Sequence, residues 1–124
     1  ISPEKKIKIL VAEDNETNQR LINILLTKLG YDVDIAEDGK KAVNMAKNKD
    51  YDAILMDVQM PNMNGYEATQ ILRSEGIKIP IISVTANAFK EDVEASLESG
   101  MNDHITKPYR KEEIIATIEK WTKN

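Results

Sequence analysis

Apolar residues along this chain fall into short strand-length runs: Ile7 to Ala12, Val33 to Ala36, Asp52 to Met56, Ile79 to Val84, and the briefer His104-Ile105-Thr106. Between consecutive runs, apolar positions recur with helical spacing and are bounded by turn formers. The first such segment carries Leu21, Ile24, Leu25, Lys28 and Leu29 on one face, with Asn15 or Thr17 as its cap and Gly30 at its end. Asp38 caps a second, whose inner side is Ala42, Met45 and Ala46. A loop containing Pro61, Asn62, Asn64 and Gly65 leads into a third, about Tyr66 to Ser74, closed by Gly76. The fourth runs from Phe89 to Ser99 with Val93 and Leu97 inward and Gly100 after it; the fifth, about Lys111 to Trp121, carries Ile114, Ile115 and Ile118. Five alternating strand and helix units predict an α/β fold. Its sheet is parallel with helices on both faces, because the runs are apolar enough to be covered twice and crossovers are right-handed.

Length narrows the organisation. At 124 residues and 41% hydrophobic, the chain reads as a single domain spanning 1–124, with a core over about 6–122 and a polar extension at 1–5. It begins at Ile1 rather than Met, which reads as a piece of a longer polypeptide. Cysteine is absent, which removes thiolate metal sites and disulfides and agrees with a reducing cytoplasm, the expected location. No apolar stretch approaches the roughly 20 residues of a membrane span. A formal net charge of -4 argues against nucleic-acid binding by this domain, since phosphate contacts need clustered Lys and Arg.

The chemistry lies where the strands stop. The first run ends in Glu13-Asp14, the third in Asp57, the fourth at Thr85 and the last at Lys107-Pro108. In an open α/β sheet the crevice beyond the carboxyl ends of the strands is where ligands bind. Three carboxylates there repel one another unless a cation sits among them. Glu13, Asp14 and Asp57 sum to -3 and Lys107 supplies +1, so the remaining -2 matches one divalent ion. Oxygen donors without His or Cys suit a hard ion, and Mg²⁺ fits better than Ca²⁺ because it takes one or two carboxylates, waters and a phosphate. Asp57 is also placed to attack phosphorus, giving an aspartyl phosphate neutralised by the metal and an ammonium. Thr85 could hydrogen-bond a phosphoryl oxygen.

These residues, in this order, resemble the receiver domain of two-component response regulators: Glu13-Asp14-Asn15, Asp57 within Met56-Asp57-Val58-Gln59-Met60-Pro61, Gly65, Thr85-Ala86 and Lys107-Pro108. The resemblance covers nearly the whole chain. It implies a flavodoxin-like doubly wound (βα)5 fold with strand order 2-1-3-4-5. Asp57 would be the phosphoacceptor, taking its phosphoryl group from the phosphohistidine of a histidine kinase or a histidine phosphotransfer domain. Glu13, Asp14, Asp57 and the backbone carbonyl of Gln59 would serve Mg²⁺, Glu13 through water. Thr85 and Lys107 would bind the phosphoryl group, Thr85 and His104 would form the switch, and Gln59 and Asn87 would tune phosphoryl lifetime. The Lys107–Pro108 bond would be cis. Ala12-Glu13-Asp14-Asn15 with Asn18, and Val84-Thr85-Ala86-Asn87-Ala88, are similar to receivers fused to hybrid sensor histidine kinases. Two positions depart from the family pattern: Glu13 stands where Asp is frequent, and His104 where Tyr or Phe is usual.

Rival readings meet specific obstacles. A haloacid-dehalogenase-like phosphatase needs a second Asp two residues after its nucleophile, and Gln59 stands there. A nucleotide or flavin binder of this fold wants glycines in its first loop, where Asp14-Asn15-Glu16-Thr17 offers acids. An interaction module without chemistry is the third, opposed by the complete acid, hydroxyl and ammonium set. Asp32, Asp38, Asp50, Asp92 and Asp103 are expected to be solvated surface, Met56, Met60 and Met63 packing residues, and Trp121 a cover for the sheet edge or the last helix.

Overall fold

The computed structural model describes residues 6–86, 90–107 and 110–122. Its elements run β1 (Lys8–Ala12), α1 (Glu16–Lys28), β2 (Asp32–Ala36), α2 (Gly39–Asn48), β3 (Ala53–Asp57), α3 (Gly65–Ser74), β4 (Ile81–Thr85), α4 (Lys90–Ser99), β5 (Asp103–Thr106) and α5 (Lys111–Thr122). All pairings are parallel, in the order β2-β1-β3-β4-β5. This is the expected doubly wound sheet. Its central strand, β3, buries all five residues, as a strand covered on both faces must.

Alternation along the strands splits the core in two. Leu10, Ala12, Ile54, Met56 and Ile81 meet Ala42, Val43 and Ala46 of α2 and Ala68 and Leu72 of α3. Ile9, Val11, Leu55, Ile82, Val84 and Ile105 meet Ile22 and Leu26 of α1 and Ile114 and Ile118 of α5. Met56 is fully buried, with Met60 and Met63 packed partly buried against the first cluster, so the methionines act as packing residues.

The helix starts follow local chemistry. Asn15 caps α1 by accepting from Asn18 N, and Asp38 caps α2 by accepting from Lys41 N. Asn64 and Glu67 form a reciprocal capping box on α3. Asp38 therefore has a structural task, and it also accepts from the Asn62 amide at 3.0 Å. So does Asp103, which accepts from Trp121 Nε1 at 2.8 Å and from His104 N at 2.8 Å, pinning α5 to β5. Asp38 stays at the surface as expected while it caps, whereas Asp103, the first residue of β5, is held by these bonds rather than solvated.

Two helix faces differ from the periodic reading. In α1 the buried residues are Ile22 and Leu26, while Leu21 and Ile24 are each 56% exposed. The Gln19 amide donates to the Glu13 carbonyl at 2.7 Å, which turns Gln19 toward the sheet and carries positions 22 and 26 inward with it. In α4, Leu97 faces outward and Ser96 and Ser99 are buried. Their hydroxyls donate to the carbonyls of Asp92 and Ser96, so they enter the interior already satisfied.

Candidate active site

The acids, the hydroxyl and the ammonium all lie at the carboxyl ends of strands, while His104 sits within β5. Asp57 is the last residue of β3 and Thr85 of β4, Lys107 follows β5, and Glu13 and Asp14 follow β1. Ligating oxygens of Glu13, Asp14 and Asp57 lie within 4.8 Å of one another. Lys107 Nζ sits between two of the acids, 3.1 Å from Glu13 Oε1 and 3.1 Å from Asp57 Oδ2. Gln59 N donates to Asp57 Oδ1 at 3.0 Å. A cavity of about 290 Å³ joins these groups, lined by Glu13, Asp14, Asn15, Asn18, Asp57, Gln59, Thr85, Ala86 and Lys107. A wider cleft of about 630 Å³ continues from it between the β3–α3 loop and α4, bringing in Met60, Pro61, Tyr66 and Asp92.

The three acids occupy unequal settings. Glu13 is 1% exposed and Asp57 6%, whereas Asp14 is open to solvent. Burial is the largest influence on Glu13 and pushes its carboxyl up, but the Asn15 N–H at 3.2 Å and Lys107 outweigh it and hold the group below the ordinary range. For Asp57 burial is again the largest influence, and with the nearby Glu13 charge it prevails over Gln59 N–H and Lys107, leaving the carboxyl raised. Lys107 is desolvated, yet the two carboxylates keep its ammonium above its usual value. Lys107 thus serves both acids at equal distance. Asp57 is left as the acid most in need of further positive charge.

That donor set fits a hard divalent ion: oxygen atoms only, one acid exposed to exchange with solvent, and one buried acid short of compensation. Glu13, the longer acid, reaches Lys107 Nζ at 3.1 Å. Of the other anticipated residues, Gln59 reaches Asp57 through its backbone N–H, and His104 lies half-buried on β5, its Nδ1 3.9 Å from Asp103 Oδ1. Asn87 and the Lys107–Pro108 bond lie outside the described residues, as does the anticipated helix start at Phe89.

Two residues were not anticipated from sequence as site builders in their observed roles. Gln19 anchors the backbone of Glu13, and no periodic or motif signal marks it. The sequence marks Gly65 as a turn former and as part of the receiver motif, and its absent side chain is what the site uses. A Cβ there would lie 2.4 Å from the Asp57 carbonyl oxygen and 3.0 Å from Val58 Cα, so α3 starts in direct contact with the backbone of Asp57. Gly65→Ala is expected to cost about 2 kcal/mol by overpacking. By displacing Asp57 it should also slow phosphorylation roughly tenfold or more. Urea unfolding and labelling rates measured on the same preparation check both effects.

Comparison with known proteins places this geometry. The family model for the response regulator receiver domain matches residues 9–119. The chain is 56% identical over 120 residues to hybrid signal transduction histidine kinase I of Dictyostelium discoideum, covering 90% of this chain and 7% of that protein. It is 41% identical over 118 residues to sensor histidine kinase RcsC of Escherichia coli, covering 95% of this chain and 12% of that protein. The chain therefore spans only a small part of the curated relatives it matches. Among solved structures, the receiver domain of sensor histidine kinase PA1611 from Pseudomonas aeruginosa PAO1, with magnesium coordinated in its active-site cleft, superposes with a TM-score of 0.89. It is 41% identical, and the match covers 97% of this chain and 100% of that one. The receiver domain of the Saccharomyces cerevisiae regulator Ssk1, solved with the histidine phosphotransfer protein Ypd1, gives a TM-score of 0.88 at 32% identity, covering 94% and 89%.

Proposed function

The chain belongs to the response regulator receiver domain family, and from that premise we propose that Asp57 accepts the phosphoryl group of a phosphohistidine in a two-component phosphorelay. One observation carries the assignment: three carboxylates share a pocket at the strand tips with a single ammonium bridging two of them, and Asp57 is the buried acid left under-compensated. An Asp57 oxygen attacks phosphorus, the P–N bond to the donor imidazole breaks as the P–O bond forms, and the imidazole leaves with its electron pair and takes up a proton. Lys107 moves its ammonium from the carboxylate pair to a phosphoryl oxygen, and Thr85 donates its hydroxyl to another. Glu13, Asp14, Asp57 and the Gln59 carbonyl would hold Mg²⁺, with Glu13 acting through water. When bound, the ion supplies the positive charge that lets a phosphate approach three acids.

The donor is a histidine kinase or a histidine phosphotransfer domain, and the domain forms part of a hybrid sensor histidine kinase. The relatives of that kind and the phosphotransfer partner of the Ssk1 receiver support this reading. Residues 1–124 act as one domain with its core over about 6–122. Among the described residues no helix is long and apolar enough to cross a membrane. Thr85 and His104 carry the phosphorylation signal toward α4, β5 and α5, and Gln59 and Asn87 set the lifetime of the acyl phosphate by orienting water, since neither amide can act as a general base.

The test is mass spectrometry of the domain incubated with acetyl phosphate. One phosphoryl group is expected on the protein with Mg²⁺ present and none in excess EDTA. Labelling that persists in chelator would remove the metal from the mechanism, and its absence under all conditions would leave an interaction module without chemistry.

A further inference from the structure

Ser83 lies in the middle of β4 with no solvent exposure, and its Oγ is, among the described residues, the buried side-chain polar atom without a hydrogen-bond partner. A buried hydroxyl left unpaired is costly, and nothing about a strand interior requires a hydroxyl there. Parallel pairing sets Met56 beside it on β3 and His104 beside it on β5. A thioether is a weak acceptor, so the imidazole is the strand neighbour able to bond it well. Ile82, Val84 and Ile105 point into the cluster under α1 and α5, which puts Ser83 and His104 together on the opposite face, in strands roughly 4.8 Å apart. There α4 packs beside α3 and against β5, and its buried residues include the small Ser96 and Ser99, whose hydroxyls are committed to their own helix. The imidazole is 38% exposed and turned toward Asp103, at 3.9 Å too far for a hydrogen bond.

We propose that Ser83 is the hydrogen-bond partner that latches the His104 imidazole when it swings inward in the phosphorylated domain. The latch rests on the reading of His104 as the switch residue. A neutral imidazole offers one donor and one acceptor and a hydroxyl offers both, so either tautomer can be held. A polar residue at 104 and a hydroxyl at 83 thereby explain each other: the hydroxyl has no use for a Phe, and the imidazole turned inward has need of a partner.

His104 is the one histidine of the chain, so its ring nitrogens can be followed without overlap by ¹⁵N NMR in the 124-residue domain with Mg²⁺ and beryllofluoride. In wild type the ring signals should move on adding beryllofluoride. In Ser83→Ala the inward to outward ratio should fall about tenfold, the effect of one lost hydrogen bond, while the Asp57 amide still reports binding. Ser83→Ala should not lower the melting temperature of the unmodified domain, because it deletes an unsatisfied group; a hydroxyl with a resting structural role would lower it. An unchanged ring response in Ser83→Ala overturns the latch and leaves the switch standing. No ring response in wild type, with Asp57 responding, overturns the switch reading and the latch with it. Silence at Asp57 as well overturns the phosphoacceptor reading from which both derive.

Discussion

Asp57→Asn is expected to abolish phosphoryl transfer while raising the melting temperature of the metal-free domain at neutral pH. The first effect follows from chemistry: an amide is a poor nucleophile, and labelling by acetyl phosphate with Mg²⁺ should drop about a thousandfold or more, some 4 kcal/mol of barrier. The second follows from linkage. Burial raises the folded-state carboxyl of Asp57 above its unfolded value, so the unfolded chain gives up that proton more readily than the native one. Below the unfolded pKa both states hold the proton and no penalty exists. As pH rises through the folded pKa the penalty becomes complete, and at neutral pH the native state carries it in full. Asn is neutral and nearly isosteric, and Lys107 keeps Glu13 as a partner at 3.1 Å, so no cation is orphaned by the replacement. A gain of about 0.5–2 kcal/mol, the usual size for relief at a strained functional position, is expected at pH 7 and should vanish toward pH 4. Mg²⁺ should then stabilise wild type more than the variant, because binding to the native state alone shifts unfolding by mass action. A variant that melts below wild type at pH 7 without metal would show that Asp57 is not under charge strain.

Arg73→Met is expected to be strongly destabilising although it lies away from the site, at about 3 kcal/mol, lowering Tm by roughly 10 °C for a chain of this size. The guanidinium at the end of α3 donates to the carbonyls of Gly100, Ile77 and Ile79, each at 2.9 Å, and to Asn102 Oδ1 at 2.8 Å. Asn102 Oδ1 also accepts from Ile81 N at 2.9 Å, so the arginine ties α3, the entry to β4 and the α4–β5 turn into one knot. All its partners are neutral. Removing it leaves the three carbonyls half-buried with donors only where water can enter, while Asn102 Oδ1 keeps Ile81 N, and Met preserves the stem's packing so that the loss is polar. The turn is shaped around this side chain: Gly100 has φ 108°, and a Cβ there would lie 2.8 Å from Arg73 Cγ. The knot lies at the end of the sheet remote from Asp57. Phosphorylation of the folded variant should accordingly stay near wild type, and thermal unfolding read beside labelling separates the two effects. A shift under about 1 kcal/mol would mean that water replaces the arginine at little cost.

The sequence by itself determined the alternation of five strands and five helices, the ends of the strands, and the order in which acids, hydroxyl and ammonium arrive at those ends. These follow from local rules. An apolar run that stops in a carboxylate marks where the apolar core ends and charge compensation must begin, and Asn15, Asp38 and Asn64 start their helices through bonds that reach only three residues along the chain. What only the tertiary structure decided is which groups meet across long separations. Lys107 touches both Glu13 and Asp57, Arg73 reaches the turn at Gly100, and Gly65 leaves room for the backbone of Asp57. The rotation of α1 and α4 belongs to the same class. In α1 the apolar residues cover more of the circumference than one sheet face can bury, and in α4 they are too few to fix a face, so periodicity leaves several orientations open. The Gln19 bond to Glu13 selects the one in which Leu21 faces water, and the self-satisfied hydroxyls of Ser96 and Ser99 lie beneath α4 while Leu97 stays outside. A polar residue that carries its own partner can be buried as readily as an apolar one, and hydropathy along the chain does not record which residues do so.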